Sequence, residues 1–354
     1  MRPQSIGGES PTRRGCGLLR FIALLCVLGT GIPHLDAQTD DSVRVRVVDV
    51  GPGLCTVTRV PGGHYMVYDA GHWNGQFCVR AVRELVLGDG IDLLILSHSD
   101  SDHLGDGARI LSEYGVRHII WTGDPRWDTG TWRGLNEAVA EEVRHSAASV
   151  RSLVTVPLVP GERLQLGAAT VTLVAGWGQW TEPGPTASER RNAISIVVRL
   201  DYGDTSVLYT GDTVGRRLDD PDVACKDAEK FMADNHDAGL VPITADVLIA
   251  PHHGGNNGSA LCFIERVAPR FVVFSAGHDH QHPTGAAAGR LLAGGVPPSR
   301  IFRTDRGDHE AGPFEWREGR VPGCRSPRGH DDVEITLPPV GAATVRYLRP
   351  QHGC

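Results

Sequence analysis

The stretch Ser97-His98-Ser99-Asp100-Ser101-Asp102-His103-Leu104-Gly105-Asp106 constrains this chain more than any other. It follows the short apolar run Asp92 to Leu96, whose length fits a buried strand, and precedes helical spacing from about Leu104 to Tyr114. Four ligand-type side chains, His98, Asp100, Asp102 and His103, therefore share one turn with rigid backbone on both sides. A helix N-cap uses one Asp and needs no His, so capping alone does not account for the pattern. Imidazole and carboxylate together suit zinc or manganese, and alternate spacing aims several side chains at one point. Two further apolar strands end similarly, in Thr210-Gly211-Asp212 and in Ala250-Pro251-His252-His253-Gly254-Gly255. The C-terminal ends of strands are where α/β proteins gather their sites.

Along the chain, 43–50, Cys55 to Val60 and Tyr65 to Tyr68 read as a strand meander broken by Gly-Pro and Gly-Gly. Helical spacing over 79–87, a strand at His118 to Trp121 and a helix from about Leu135 to His145 complete the first half. The second half offers strands at Leu153 to Leu158, Thr170 to Val174, Ala193 to Leu200 and Ser206 to Tyr209. A polar helical region from about Thr213 to Asp237, strands at Val247 to Ala250 and Phe271 to Phe274, and a helix around Ala286 to Leu292 follow. Strands then helices, twice over, predict two sheets packed face to face with helices outside. Glu182 to Thr186 and Arg320 to Arg328 read as surface loops.

Arg13, Arg14 and Arg20 precede the apolar run Phe21 to Ile32, so residues 1–37 read as a secretory signal peptide. That run is short of the roughly 20 residues a membrane span needs, and no stable membrane insertion is expected once the signal is removed. Cleavage after Ala37 would leave a formal charge of about −9, which argues against a surface built to grip phosphate backbones without specificity. Six cysteines would remain, Cys55, Cys78, Cys225, Cys262, Cys324 and Cys354, an even number that fits disulfides in an exported protein. There is no CxxC pair, so a cysteine zinc cluster is not expected.

The order of motifs resembles the metallo-β-lactamase superfamily, and most closely the soluble hydrolase domain of ComEC-type competence proteins. The likeness runs from about Val47 to Thr304. It includes Asp49-Val50-Gly51-Pro52-Gly53, Tyr68-Asp69-Ala70-Gly71, the His98 to Asp106 run, Asn192-Ala193-Ile194-Ser195, Tyr209-Thr210-Gly211-Asp212 and Pro251-His252-His253-Gly254. Ser275-Ala276-Gly277 with His282-Pro283, and Arg303-Thr304-Asp305, look like the closing elements. The resemblance implies a four-layer αββα sandwich, with residues 38–354 as one domain. It also implies one or two divalent ions, Zn²⁺ foremost and Mn²⁺ as an alternative. His98 and Asp100 would serve one metal position, Asp102 and His103 the second, with Asp212 bridging and His253 or His252 completing the second. Asp100 and Asn192 stand where relatives commonly have His, which makes the site richer in oxygen.

The expected chemistry is hydrolysis by metal-activated hydroxide, with Asp102 orienting the attacking group. Asn192 and His282 are the other catalytic candidates, for oxyanion stabilisation or as a substrate-side acid. His282 could instead be a ligand. The substrate expected is a phosphodiester, small or nucleic acid. The competing readings are carboxylic esters, lactones or β-lactams, and a non-catalytic binding protein that keeps the fold. The cluster His278, Asp279, His280, Gln281 and His282 is either a solvated loop or part of the site, and Trp121, Trp127, Trp132, Trp177 and Trp180 are read as packing.

Overall fold

The computed structural model describes residues 41–88, 90–177, 186–277, 280–307, 313–321, 323–324 and 328–349. The signal-peptide reading of 1–37, together with Trp180, His278, Asp279 and Cys354, lies outside them. Six strands come first: β1 (Val43–Val47), β2 (Cys55–Val60), β3 (His64–Ala70), β4 (Gly90–Leu96), β5 (Gly115–Trp121) and β6 (Ser149–Ser152). Seven follow as β7 (Arg163–Leu166), β8 (Ala169–Ala175), β9 (Val197–Tyr202), β10 (Thr205–Tyr209), β11 (Val247–Ile249), β12 (Phe271–Phe274) and β13 (Ile301–Arg303). The last two, β14 (Val333–Leu337) and β15 (Thr344–Tyr347), return to the first sheet, whose order is β15-β14-β1-β2-β3-β4-β5-β6. The second sheet runs β13-β12-β11-β10-β9-β8-β7. In each sheet the antiparallel strands give way to parallel ones, β3 to β6 in the first and β10 to β13 in the second.

The helices are α1 (Phe77–Leu85), α2 (Ser101–Leu104), α3 (Gly107–Glu113), α4 (Gly130–His145), α5 (Ala187–Ala193), α6 (Asp227–Asp237), α7 (Leu261–Val267) and α8 (Gly285–Ala293). Three apolar clusters fill the spaces between layers. One joins the facing sides of the two sheets through Val45, Tyr68, Ile95, Val171, Leu173 and Tyr209. A second packs α1, α3 and α4 on the outer side of the first sheet, and a third packs α6, α7 and α8 on the second. This is the expected four-layer sandwich. Inside it the sheets also meet through polar groups, Tyr68 donating to the Ile196 carbonyl at 2.6 Å and Thr58 Oγ1 lying 3.0 Å from the Tyr209 hydroxyl.

Several expected elements differ. Leu153 to Leu158 is not a strand: pairing ends at Ser152, because a turn follows and Pro157 has no N–H to donate, while Leu153 and Leu158 still plug the core. Ala193 closes α5 instead of opening a strand, since Thr186 and Glu189 form a reciprocal capping box that starts a helix there. The helical region expected over 213–237 is helical only from Asp227, the part before it being an irregular segment anchored through Gly215 and Arg216. Two disulfides, Cys55–Cys78 and Cys225–Cys262, tie β2 to α1 and the entry of α6 to α7, and Cys324 is disulfide-bonded as well. Among the described residues no helix is long and apolar enough to cross a membrane.

Candidate metal centre

Leu96 is the last residue of β4, so the chain turns at Ser97 with its direction set by parallel pairing on both sides. His98 and His103 are carried into the interior, and α2 holds Asp102 and His103 in one helical turn. Leu54 N–H donates to the Asp102 carbonyl at 3.2 Å, and Gly53 must be glycine because a Cβ there would sit 2.4 Å from that oxygen. The loop after β10 brings Asp212, and the segment after β11 brings His252 and His253, both with left-handed backbone at φ 47° and 55°. Non-glycine residues seldom adopt that conformation, and here it turns two consecutive imidazoles towards different sides of Asp212.

Asp212 is the hub. Its Oδ1 lies 3.1 Å from His103 Nε2 and 3.2 Å from His253 Nε2, while its Oδ2 lies 3.8 Å from both His98 Nε2 and His252 Nε2. Asp102 Oδ2 approaches the first pair, 3.7 Å from His253 Nε2 and 4.0 Å from His103 Nε2. Asp100 Oδ2 approaches the second, 3.8 Å from His98 Nε2. His98, His103 and Asp212 converge within 4.8 Å, as do Asp102, His103 and His253, so these two groups share His103, while Asp212 touches histidines on both sides. His253 stands with Asp102 and His103, whereas His252 stands on the His98 side.

The fit to a cation can be judged from lone pairs. His103 Nδ1 is bound to Asp69 Oδ2 at 2.7 Å and His253 Nδ1 to the Ser275 carbonyl at 2.8 Å, so each ring offers Nε2 inward. Those two Nε2 atoms are only 3.1 Å apart. Two neutral acceptors would repel at that separation, whereas ligands held at about 2.1 Å from a common ion stand about 3.0–3.4 Å apart. His98 Nε2 is buried and has no hydrogen-bond partner among the described residues. The donor set therefore fits a divalent cation.

Electrostatics agree. Burial alone would raise the Asp212 pKa, but His103, His253 and His252 outweigh it and hold the carboxylate well below its usual range. Burial would likewise lower His103, yet Asp212 and Asp69 hold it well above the ordinary imidazole value. For His98, burial and the neighbouring His103 charge push the pKa down.

Sequence reasoning missed the groups that aim the ligands. Asp69 accepts from Ser97 N–H at 2.6 Å and Ser97 Oγ at 2.7 Å as well as holding His103, and its own φ of 57° is left-handed. Asn257 Oδ1 lies 2.6 Å from His252 Nδ1. Asp69 was visible as part of a motif, but its role depends on a contact 34 residues away. Asn192 Nδ2 stands 3.1 Å from His252 Nε2, and its Oδ1 is buried without a partner among the described residues. His282 lies beside these residues, its ring 5.6 Å from that of His252 and 6.3 Å from that of His253. Burial, then the charges of His252 and His253, keep its pKa well below the usual value. His282 and His252 border a cleft of about 770 Å³ with Thr186, Arg217 and Asn257. Trp121 and Trp132 are buried packing as expected, while Trp127 is 61% exposed.

Residues 48–278 match the family model described as the metallo-beta-lactamase superfamily, and the chain belongs to that superfamily. Competence protein ComA of Neisseria gonorrhoeae is 26% identical over 301 residues, covering 82% of this chain and 35% of that protein. ComE operon protein 3 of Bacillus subtilis (strain 168) is 24% identical over 288 residues, covering 74% of this chain and 32% of that protein. The chain spans about a third of the length of these relatives. Among solved structures it is similar to the metallo-beta-lactamase fold protein YhfI of Bacillus subtilis, with 14% identity, a TM-score of 0.45 and coverage of 74% of this chain and 95% of that one. It is also similar to CmlA, a diiron beta-hydroxylase from Streptomyces venezuelae, with 16% identity, a TM-score of 0.44 and coverage of 75% and 53%.

Proposed function

We propose that this protein is an exported metal-dependent hydrolase acting on phosphodiesters, nucleic acid among them. The observation that carries the reading is the position of Asp212 between two groups of histidines, with His98 Nε2 buried beside it and without a hydrogen-bond partner among the described residues. The likeness to competence proteins supports a phosphodiester substrate, and the disulfides support an oxidising compartment.

His98, Asp100 and His252 with Asp212 Oδ2 would hold one ion, and Asp102, His103 and His253 with Asp212 Oδ1 the other; zinc suits the imidazoles and manganese the carboxylates. A bound divalent ion supplies Lewis acidity, lowering the pKa of nearby water towards about 7 and polarising the scissile phosphoryl group. Asp69, Ser275 and Asn257 fix ring tautomers so that each Nε2 faces inward. Asp102, whose side chain keeps 24% of its exposure, orients the attacking group and takes up its proton. Asn192 offers an amide to the developing oxyanion, and His282, kept neutral, offers a hydrogen bond from the cleft side.

The test is hydrolysis of bis-p-nitrophenyl phosphate, single-stranded DNA and nitrocefin by protein stripped of metal and reloaded with Zn²⁺ or Mn²⁺. Metal-dependent cleavage of the phosphodiesters is expected. Turnover of nitrocefin alone would overturn the substrate assignment, and failure to take up either ion would overturn the centre.

A further inference from the structure

Asp100 Oδ1 receives two guanidinium groups: Arg126 Nη1 at 2.5 Å from the loop after β5, and Arg191 Nε from α5. Arg126 is shared between Asp100 and Asp128, whereas Arg191 brings a second guanidinium to Asp100 at the edge of the candidate metal centre. The two arginines are used differently. Arg126 spends Nε and Nη2 on Asp128. Arg191 binds Asp100 through Nε, and among the described residues no group takes its Nη1 or Nη2. Its side chain keeps 19% of its exposure, so the open end of the fork is reachable. The other oxygen of Asp100 lies 3.8 Å from His98 Nε2, which places this guanidinium on the His98 side of the centre.

The geometry points to Arg191 as a substrate-binding residue whose open fork takes a non-bridging phosphoryl oxygen of the substrate. The inference rests on the hydrolase reading above and adds to it a reason for phosphoryl preference. A planar guanidinium anchored at Nε presents Nη1 and Nη2 at fixed directions, the arrangement that matches the oxygens of a phosphate. A neutral ester or lactam offers no such anion for the open fork of Arg191 to bind. Arg126 meanwhile keeps Asp100 neutralised when Arg191 engages substrate.

The test compares the zinc-loaded wild type with Arg191→Gln and Arg191→Lys, measuring inorganic phosphate binding by calorimetry, metal content by elemental analysis and bis-p-nitrophenyl phosphate turnover. Arg191→Gln is expected to retain the wild-type metal content and to bind phosphate roughly 10- to 100-fold more weakly, the range for losing a charge-assisted pair, with Arg191→Lys in between. Wild-type phosphate affinity in Arg191→Gln overturns the inference, as does absence of phosphate binding in the wild type. So does joint loss of metal and phosphate in both variants, which would make Arg191 a support for Asp100. If phosphate binding behaves as expected while no variant, nor the wild type, cleaves the diester, the hydrolase reading fails and the anion site stands.

Discussion

Asp69 carries three hydrogen bonds in a left-handed backbone, and two of them converge on the orientation of His103. Asp69→Asn replaces an acceptor with a group that can donate, so the His103 ring loses the partner that fixes its tautomer. Metal affinity is expected to fall roughly 10- to 100-fold, measured by competition with a chelator; unchanged affinity would contradict the role. Asp102→Ala is expected to abolish diester turnover while, with both proteins stripped of metal, leaving the unfolding temperature near that of the wild type. The pH dependence has a definite sign. His103 is held above its ordinary pKa and protonated imidazole cannot bind metal, so apparent affinity should weaken as pH falls through that raised value and uptake should release protons. The candidate ligands that the fold brings together were legible in the sequence because His and Asp at strand ends are chemically distinctive. The Ser275 carbonyl that aims His253 was not, since a backbone acceptor leaves no residue signature.

At the scale of elements, the site depends on how turns are braced. Gly53 has φ 135° and a Cβ there would collide with the Asp102 carbonyl, so Gly53→Ala would displace the first turn of α2. A loss of about 1–3 kcal/mol is expected in denaturant unfolding, with metal affinity falling too. Glu229 of α6 braces the other side, accepting from Ser259 N–H at 2.7 Å and Ala260 N–H at 2.5 Å ahead of α7. Burial pushes its pKa up to about 8 despite those two donors. A raised carboxyl favours the folded state while protonated, so its contribution is full below the unfolded value near 4.5 and is lost as pH rises towards 8. The stability difference between Glu229→Gln and the wild type should therefore shift in favour of the variant from pH 5 to pH 8; a flat difference would contradict this. The capping signal Thr186-x-x-Glu189 was present in the sequence, yet α5 was missed because the Pro-rich segment before it reads as loop. β14 was missed because it pairs with β1 across almost the whole chain, and β15 because it joins the sheet only at its edge, through β14.

At the scale of the molecule, the first sheet supplies His98, Asp100, Asp102 and His103, the second supplies Asp212, His252 and His253, and neither alone makes a cation site. An ion held between them binds only the folded state, so chelation should lower the unfolding temperature, by an amount equivalent to about 4 kcal/mol where free metal had exceeded its dissociation constant a thousandfold. The layer order was readable from alternating strand and helix patterns, because both sheets bury apolar strands on two faces. Which ligands face which other could not be read, since that follows from the left-handed turn at His252 and His253. The most direct measurement is anomalous diffraction at the metal edge from crystals of zinc-loaded protein. A peak about 2.0–2.2 Å from His103 Nε2, His253 Nε2 and Asp212 Oδ1 is expected. Its absence there, with metal bound elsewhere or not at all, would contradict the account.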